Sequence, residues 1–404
     1  MSATTAPRLF AAGARASYQT HLQTFGSLDT GSIQSSLLGE LERSGLTGRG
    51  GAGFATWRKL QATEEARTSR VIANRPVVIA NGAEGEPLSL KDKSLLENAP
   101  HLVIDGLLAA AAAVHATKAY VYATSQSLEA LGLAISERRD AERISLAEAP
   151  DTFISGEASA VVNSIETGIA VPQDRVKRLS EAGLKRRPTL VHNVETLAHI
   201  ALVARYGAAW FRGTGSQRDP GTRLVTVTGK APGDRVMEVP GDAMLADVLR
   251  AAGVDLMGVR AVLVGGFHGA WVERDELDAP LSADGLAPLG ASPGAGILSV
   301  LGRDECGLRT TARILDYLAQ ESARQCGPCM FGLPELARLF EELATGSREK
   351  ALPARLRALA ADVSGRGSCH HPDGTTRMAA SALSAFRDDV HAHLQGHCLS
   401  SKRR

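Results

Sequence analysis

The sequence predicts an α/β layer structure up to residue 213, a small α+β module over residues 214–302 and a helical bundle over residues 303–404. Three observations support this division. Short apolar segments alternate with helical patterns through about residue 210. A Gly/Ser/Pro-rich linker, GTGSQRDPGT, then interrupts the pattern, and helical periodicity dominates after Arg303.

The elements of the first part follow from hydrophobic spacing and from glycine and proline positions. Residues 36–46 have apolar residues at helical spacing and stop at Gly45. The remaining assignments are strands within 70–87, a helix over 93–116 with Pro100 at an early break or start, a strand over 118–125, and a strand, glycine turn and helix over 151–168.

The second part begins with the alternating segment TRLVTVTGKAP, which predicts a strand, and continues as short strands to about residue 300. Its one clear helical pattern covers residues 242–254. In the third part, apolar residues three and four apart predict helices over 304–321, 333–345, 353–363 and 375–395.

Composition excludes two classes of protein. The 404 residues carry 45 Lys and Arg against 44 Asp and Glu, and aromatic residues are 4%, which argues against a nucleic-acid-binding surface. The most apolar run, residues 102–114, is interrupted by Asp105 and is too short to cross a membrane. The N-terminal residues have no continuous apolar segment, so we expect a cytoplasmic protein.

Cysteine placement gives the first indication of function. Four of the five cysteines lie between residues 306 and 369, and none precedes Cys306. A sparse, odd set in a chain of this length does not indicate a disulfide framework. The sequence therefore predicts a metal or redox site in the C-terminal third.

A glycine-rich segment, TGRGGAGF (47–54), gives the second indication. It follows a helical pattern, so it is not a dinucleotide fingerprint, and it lacks the Gly-Lys-Ser/Thr of a P-loop. Its backbone N–H groups, with Arg49 and Lys59, suit an anion. Polar turns at 80–87, 155–159 and 192–196 stand at predicted element ends, where ligands of α/β sheets bind.

These motifs together resemble a known family. The segments GLTGRGGAGFATWRKL, NGAEGEPLSLKDK, ISGEASAVVNSIET, HNVETL and QCGPC with GSC resemble, in this order, the flavin-bearing, NADH-oxidising subunit of respiratory complex I and its relatives in hydrogenases and formate dehydrogenases. The resemblance implies a Rossmann-like FMN domain, a ubiquitin-like β-grasp module and a helical bundle that holds an iron–sulfur cluster.

The resemblance also implies which residues contact FMN. The loop residues would lie beside the flavin, Lys59 would reach its polar edge, and the start of the helix after residue 192 would meet the phosphate. The implied FMN-binding residues are Gly48, Arg49, Gly50, Gly51, Lys59, Asn81, Glu84, Gly156, Glu157, Asn193 and Thr196.

The nicotinamide side departs from the family pattern. Phe54 is kept, but Ala62 and Arg178 replace two other phenylalanines, and Ala83 and Ala158 replace two acids. Phe54, Glu86, Arg175 and Arg178 are the candidate nicotinamide contacts. A more positive pocket favours NADPH over NADH, since guanidinium groups pair well with phosphate. The alternatives are that no nicotinamide binds, or that the arginines are solvated surface charges.

The cluster motif departs as well. Cys326, Cys329 and Cys369 match three cysteine ligands of the family, while Ala323 occupies the position of the fourth. A [4Fe–4S] cluster normally takes four thiolates. Candidate substitutes are Cys306, Cys398, His370 and His371, and a [3Fe–4S] cluster is the alternative.

The sequence thus predicts an FMN-dependent electron-transfer subunit that oxidises NAD(P)H and passes electrons to an iron–sulfur cluster. No acid–base or nucleophilic catalytic residue is required. A ferredoxin-like iron–sulfur subunit is the implied partner, and any membrane association would be through a partner. Two alternatives remain: a flavoprotein that exchanges electrons with a protein without binding nicotinamide, and a non-catalytic scaffold.

Overall fold

The computed structural model describes residues 7–68, 75–174 and 177–401. The chain forms two compact units. The first runs to Val225 and includes Val236–Ala243, and the second comprises Thr226–Arg235 and the chain from Met244 onward. The three-part division at residues 213 and 302 stays a prediction.

The first unit is an α/β structure with four strands. Its strands are β1 (Val77–Gly82), β2 (Lys118–Ala123), β3 (Ile144–Glu148) and β4 (Thr189–Asn193). Its helices are α1 (Tyr18–Phe25), α2 (Thr30–Ile33), α3 (Leu37–Ser44), α4 (Thr56–Thr68), α5 (Lys91–Asn98), α6 (Pro100–Ala113), α7 (Ser125–Ser136), α8 (Ala158–Thr167), α9 (Leu179–Ala182) and α10 (Val194–Arg212).

The four strands form one sheet in the order β3-β2-β1-β4, and each neighbouring pair is parallel. Both faces of the sheet are buried, as parallel sheets require. Val78 and Ala80 belong to the larger core cluster, whereas Val77 and Ile79 belong to the smaller one. This alternation along β1 places apolar residues against helices on both sides.

Helices α6 and α10 pack closely at Gly106. A Cβ atom at this position would lie 1.8 Å from the carbonyl oxygen of Leu197, so only glycine permits the observed approach. Next to it, the buried carboxylate of Asp105 accepts hydrogen bonds from Arg138 and Arg205 and contacts His21 at 2.7 Å. Burial alone would raise the pKa of Asp105, but these partners lower it to about 2.

The second sheet has the order β6-β5-β9-β7-β8, with β5 parallel to β9 and β7 antiparallel to both β9 and β8. Its strands are β5 (Thr222–Gly229), β6 (Arg235–Pro240), β7 (Val259–Val264), β8 (Ala270–Glu273) and β9 (Ile297–Gly302), accompanied by α11 (Leu245–Ala251) and α12 (Ala283–Leu286).

The C-terminal part is helical. It contains α13 (Gly307–Gln320), a π-helical turn at Pro328–Gly332, α14 (Leu333–Thr345), α15 (Leu352–Val363), α16 (His371–Ala385) and α17 (Arg387–Leu394). Helices α13 and α14 are strongly amphipathic and pack their apolar faces together. No helix of the described residues is long and apolar enough to span a bilayer.

Several element predictions are confirmed, and some are wrong in detail. The helix over 36–46 ends at Gly45, whose φ of 69° is the left-handed conformation that glycine favours. Pro100 begins a helix, so 93–116 forms two helices, and Phe386 likewise divides 375–395. The strand predicted at the start of 151–168 is wrong, because Phe153–Gly156 forms a 3-10 turn. Within 70–87, residues 70–74 lie outside the described part.

Candidate functional site

The parallel sheet contains a switch in strand order at β1. The chain passes from β1 to β2 and β3 on one side, and β4 pairs with the other side of β1. Loops leaving β1 and β4 therefore diverge, and such a switch point opens a ligand crevice at the carboxyl ends of the strands. The polar turns at 80–87 and 192–196 lie at these two ends.

The glycine-rich loop lies against the start of α10. The N–H of Gly48 donates to the carbonyl of Phe54 over 2.8 Å, which closes the loop. The N–H of Arg49 donates to Oγ1 of Thr196 over 2.9 Å. A Cβ on Gly50 would lie 3.1 Å from Cβ of Asn193, so a larger residue would push the loop away from this helix end.

The side chain of Arg49 is buried behind the loop. Its guanidinium lies 3.5 Å from the carboxylate of Asp219 and donates to the carbonyl of Pro220 over 3.2 Å. The cation therefore anchors the loop from within the protein, and the backbone of the loop faces the crevice side, where residues 50–54 are exposed.

The loop after β1 contacts the turn at Phe153–Gly156. Asn81 Nδ2 donates to the carbonyl of Gly156 over 2.9 Å. A Cβ on Gly85 would lie 2.4 Å from the carbonyl oxygen of Phe153, so the two backbones meet there without space for a side chain. These contacts join the second and third polar turns that the sequence identifies.

Two predicted carboxylates act as helix caps. Glu84 accepts from the N–H groups of Asp92 and Lys93, each at 3.0 Å, at the start of α5. Glu157 accepts from the N–H groups of Ser159 and Ala160 at 2.8 and 3.0 Å at the start of α8. Both carboxylates thereby fix the loops that border the crevice.

A buried charge cluster lies beneath these loops. Lys91 is 2.6 Å from Asp92 and 3.0 Å from Glu195, and all three side chains are buried. Burial alone would lower the pKa of Lys91, but the attraction of these carboxylates raises it. The same lysine contributes to lowering the pKa of Glu195 to about 2, against the effect of burial.

Asn193 connects this charge cluster to α10. Its Nδ2 donates to Asp92 over 2.6 Å, and its Oδ1 accepts from the N–H of Glu195 over 3.0 Å. Asn193 is thus both the N-cap of α10 and a tether to the start of α5. The free N–H groups of the α10 N-terminus are held at the glycine loop, where they favour an anion.

Two polar groups near the crevice have no partner among the residues described. The ammonium of Lys59 makes no hydrogen bond or ion pair there, and burial lowers its pKa. The Nε2 of the buried His192 is likewise without a hydrogen-bond partner in the described part. Burial and the nearby Lys59 charge lower the pKa of His192 well below its usual value. This arrangement fits a cofactor with polar ring edges and a phosphate, as FMN has.

The candidate nicotinamide residues are more dispersed. Phe54 is 47% exposed at the end of the glycine loop, and Glu86 is partly buried after β1. Arg178 is exposed immediately before α9, and Arg175 lies outside the described residues. The structure therefore places Phe54 and Glu86 on loops that border the crevice.

The predicted cluster cysteines lie close to one another. Burial, together with the neighbouring thiols Cys326 and Cys369, raises the pKa of Cys329 to about 12. Cys326 and Cys329 stand at the π-helical turn before α14, and Cys369 precedes α16. Three converging thiols favour occupation by a cationic centre, since a cation offsets the cost of ionising them.

The structure sorts the candidate substitutes for the fourth cysteine. His371 is buried with both ring nitrogens engaged, one 3.1 Å from His268 and the other 2.8 Å from the carbonyl of Leu318. Cys306 and Cys398 lie together with His393 in a separate cluster. His370 is exposed beside Cys369, with Nδ1 3.2 Å from Asp373, and keeps its Nε2 edge for a ligand.

Sequence reasoning missed the buried charge cluster. Lys91 and Asp92 form part of the quoted motif NGAEGEPLSLKDK, but adjacent charges at a helix start normally indicate a solvated surface. Glu195 lies more than 100 positions away. The one available signal was that the charged segment directly follows a polar, glycine-bearing turn.

Comparison with known families assigns both regions. The Nuo51 FMN-binding domain matches residues 41–202, and the NADH-ubiquinone oxidoreductase-F iron–sulfur binding region matches residues 309–393. The first range contains the glycine loop and the start of α10, and the second contains Cys326, Cys329 and Cys369.

Similar proteins span most of the chain. The second F-type subunit of NADH-quinone oxidoreductase in Rhizobium meliloti is 30% identical over 375 residues, which are 88% of each chain. The HndC subunit of the NADP-reducing hydrogenase of Solidesulfovibrio fructosivorans is 27% identical, covering 88% of this chain and 75% of that one.

A solved structure of NAD+-reducing [NiFe]-hydrogenase in the air-oxidised state superposes with a TM-score of 0.83 at 28% identity. The match covers 92% of this chain and 64% of that one. The FMN-binding domain, the iron–sulfur binding region and the similarity over nearly the whole chain lead to one conclusion: the chain belongs to the family of F-type subunits of NADH-quinone oxidoreductase and the related hydrogenase subunits.

Proposed function

We propose that the protein is an FMN-dependent electron-transfer subunit that oxidises NAD(P)H and delivers electrons to an iron–sulfur cluster. The observation that carries this proposal is the crevice at the strand switch point. There the glycine loop and the start of α10 lie together, and Lys59 has no partner among the described residues. FMN, when bound, supplies the redox chemistry, and the protein supplies binding, orientation and charge.

The fold assignment supports the same proposal. The parallel order β3-β2-β1-β4 is that of one half of a Rossmann-like domain. The second sheet has its first and last strands, β5 and β9, as parallel neighbours, and α11 follows its second strand. We assign this module to the β-grasp class, with the helical bundle after it.

The binding roles divide into two kinds. Arg49, Glu84, Glu157 and Asn193 commit side-chain groups to ion pairs, helix caps and backbone contacts, so they shape the crevice. Gly48, Gly50 and Gly51 provide a backbone surface without side chains, and Lys59 provides a charge for the polar edge of the flavin. The α10 N-terminus, with Thr196, would receive the phosphate.

For the nicotinamide we propose a site bordered by Phe54 and Glu86, with Arg175 and Arg178 favouring the 2′-phosphate of NADPH. Loss of two acids and gain of arginine share one electrostatic sign, which supports the phosphorylated dinucleotide. The competing possibilities remain a protein electron donor and a scaffold without FMN.

Cys326, Cys329 and Cys369 would hold the cluster, and His370 is the remaining candidate for a fourth ligand. Two large apolar side chains, Met330 and Phe331, are 52% and 70% exposed directly after Cys329. Such exposure beside a redox site supports docking of an iron–sulfur protein partner, which we expect to be ferredoxin-like. Membrane association would then be indirect.

The function is tested by the visible spectrum of anaerobically purified protein during addition of NADPH and then NADH. We expect flavin bands that bleach with NADPH at lower concentration than with NADH. Bands that neither nucleotide bleaches would favour a protein donor. Folded protein without flavin that cannot be reconstituted with FMN would leave only the scaffold.

The role of Lys59 is tested by Lys59→Met. Removing this charge should raise the FMN dissociation constant about tenfold, equivalent to about 1.4 kcal/mol, measured by flavin fluorescence titration. The matched control is Arg58→Met, which removes the neighbouring exposed cation of α4 and should leave FMN affinity unchanged. Equal affinities in both variants would contradict a contact from Lys59.

The three-cysteine cluster site is tested by Ala323→Cys, which restores the family spacing. We expect the wild-type cluster to lose one iron under oxidation and to show the EPR signal of a three-iron centre. Ala323→Cys should retain about four irons per chain and suppress that signal. Ser322→Cys, at the wrong spacing, is the control. Identical iron content and EPR spectra in all three proteins would contradict an open ligand position.

A further inference from the structure

A second cluster of metal-ligating groups lies in the helical part. Cys306, His393 and Cys398 place their donor atoms within 4.8 Å of one another, and all three residues are buried. They come from three separate segments: the N-cap of α13, helix α17 and the chain that follows it. In the part of the chain described, no other three donors of this kind gather so closely.

The histidine is oriented as a ligand. Its Nδ1 lies 3.1 Å from the carbonyl oxygen of Leu343, an acceptor that fixes the proton on Nδ1. The lone pair of Nε2 is thereby directed into the cluster, where Nε2 is 3.5 Å from Sγ of Cys306. Metal-ligating histidines typically have this backbone contact on the second nitrogen.

The spacing of the donors suits a tetrahedral ion. With Zn–S of about 2.3 Å and Zn–N of about 2.0–2.1 Å, a tetrahedral angle separates sulfur and nitrogen by roughly 3.5 Å. The distance between Cys306 Sγ and His393 Nε2 has this value. Cys306 also lies at the N-terminus of a 14-residue helix, whose free N–H groups favour a thiolate.

The protein holds two of the ligand segments together by its own contacts. Arg260 donates to the carbonyl of Glu305 over 2.8 Å and forms an ion pair with Asp389. Glu305 directly precedes Cys306, and Asp389 lies one helical turn before His393. The site is therefore pre-organised without any ion.

We propose that Cys306, His393 and Cys398 bind a structural Zn²⁺ ion, with water completing the tetrahedron. Binding replaces the two thiol protons, which are released to solvent, and takes the neutral imidazole as third ligand. Thiolate and imidazole ligands in a tetrahedral array select Zn²⁺ among common divalent ions. The ion attaches the chain after α17 to the base of α13.

This site is separate from the proposed iron–sulfur site. Cys306 caps the first residue of α13, whereas Cys326 follows the other end of that helix. Fourteen residues of α-helix span about 21 Å. An ion at this distance is redox-silent Zn²⁺ with a structural role, so the inference does not depend on the proposed electron-transfer function.

The test is the zinc content of the full-length protein, purified from zinc-supplemented cultures and dialysed against a chelator. We expect about one Zn²⁺ per chain, with X-ray absorption showing two sulfur and one or two nitrogen or oxygen neighbours. His393→Ala and the more conservative Cys398→Ser should each lose zinc while keeping FMN and iron. Cys369→Ser, the matched control, should lose iron and keep zinc.

Three outcomes would overturn the proposal: wild-type protein without zinc, variants that retain it, or zinc bound without sulfur neighbours. An intact mass two hydrogens lower, removed by reductant, would show a Cys306–Cys398 disulfide in place of the ion. The X-ray absorption spectrum of wild-type protein decides the question even where a variant fails to fold.

Discussion

The buried ion pairs of Lys91 hold the FMN-binding region together. This ammonium contacts Asp92 at the start of α5 and Glu195 in the first turn of α10, while Asn193 joins Asp92 to the same helix. Two helix starts that lie about 100 residues apart in sequence are thereby fixed at the carboxyl ends of β1 and β4. Removing one partner would leave an uncompensated buried charge, which typically costs about 3–5 kcal/mol. The glycine loop then depends on α10, because Thr196 accepts its Arg49 N–H.

The helical part follows a different physical rule. There the thiols of Cys326, Cys329 and Cys369 converge near one end of α13, and Cys306 stands at the other end with His393. Clusters of buried thiols are expensive to ionise, as the raised pKa of Cys329 shows, unless a cationic centre compensates them. Both ends of this helix therefore gain order from bound metal, one through redox chemistry and the other through cross-linking of the chain.

Local patterns predicted much of this arrangement. The helix stop at Gly45, the glycine loop and the helix start after His192 follow from turn and capping chemistry, which acts within a few residues. The charge cluster of Lys91 and Glu195 could not be predicted, since its members meet through the strand order alone. The same holds for Cys306, His393 and Cys398. The strand expected at residues 151–156 failed because Gly85 and Asn81 bind that segment as a turn.

The most direct test of this account is Lys91→Met, with Lys93→Met, two residues along the same helix, as the matched control. FMN affinity and hydrogen exchange at the start of α10 are measured on the same preparations. The account predicts at least a tenfold loss of FMN affinity, about 1.4 kcal/mol, and faster exchange at residues 193–197 in Lys91→Met, with neither change in the control. Unchanged FMN affinity and unchanged exchange in Lys91→Met would contradict it.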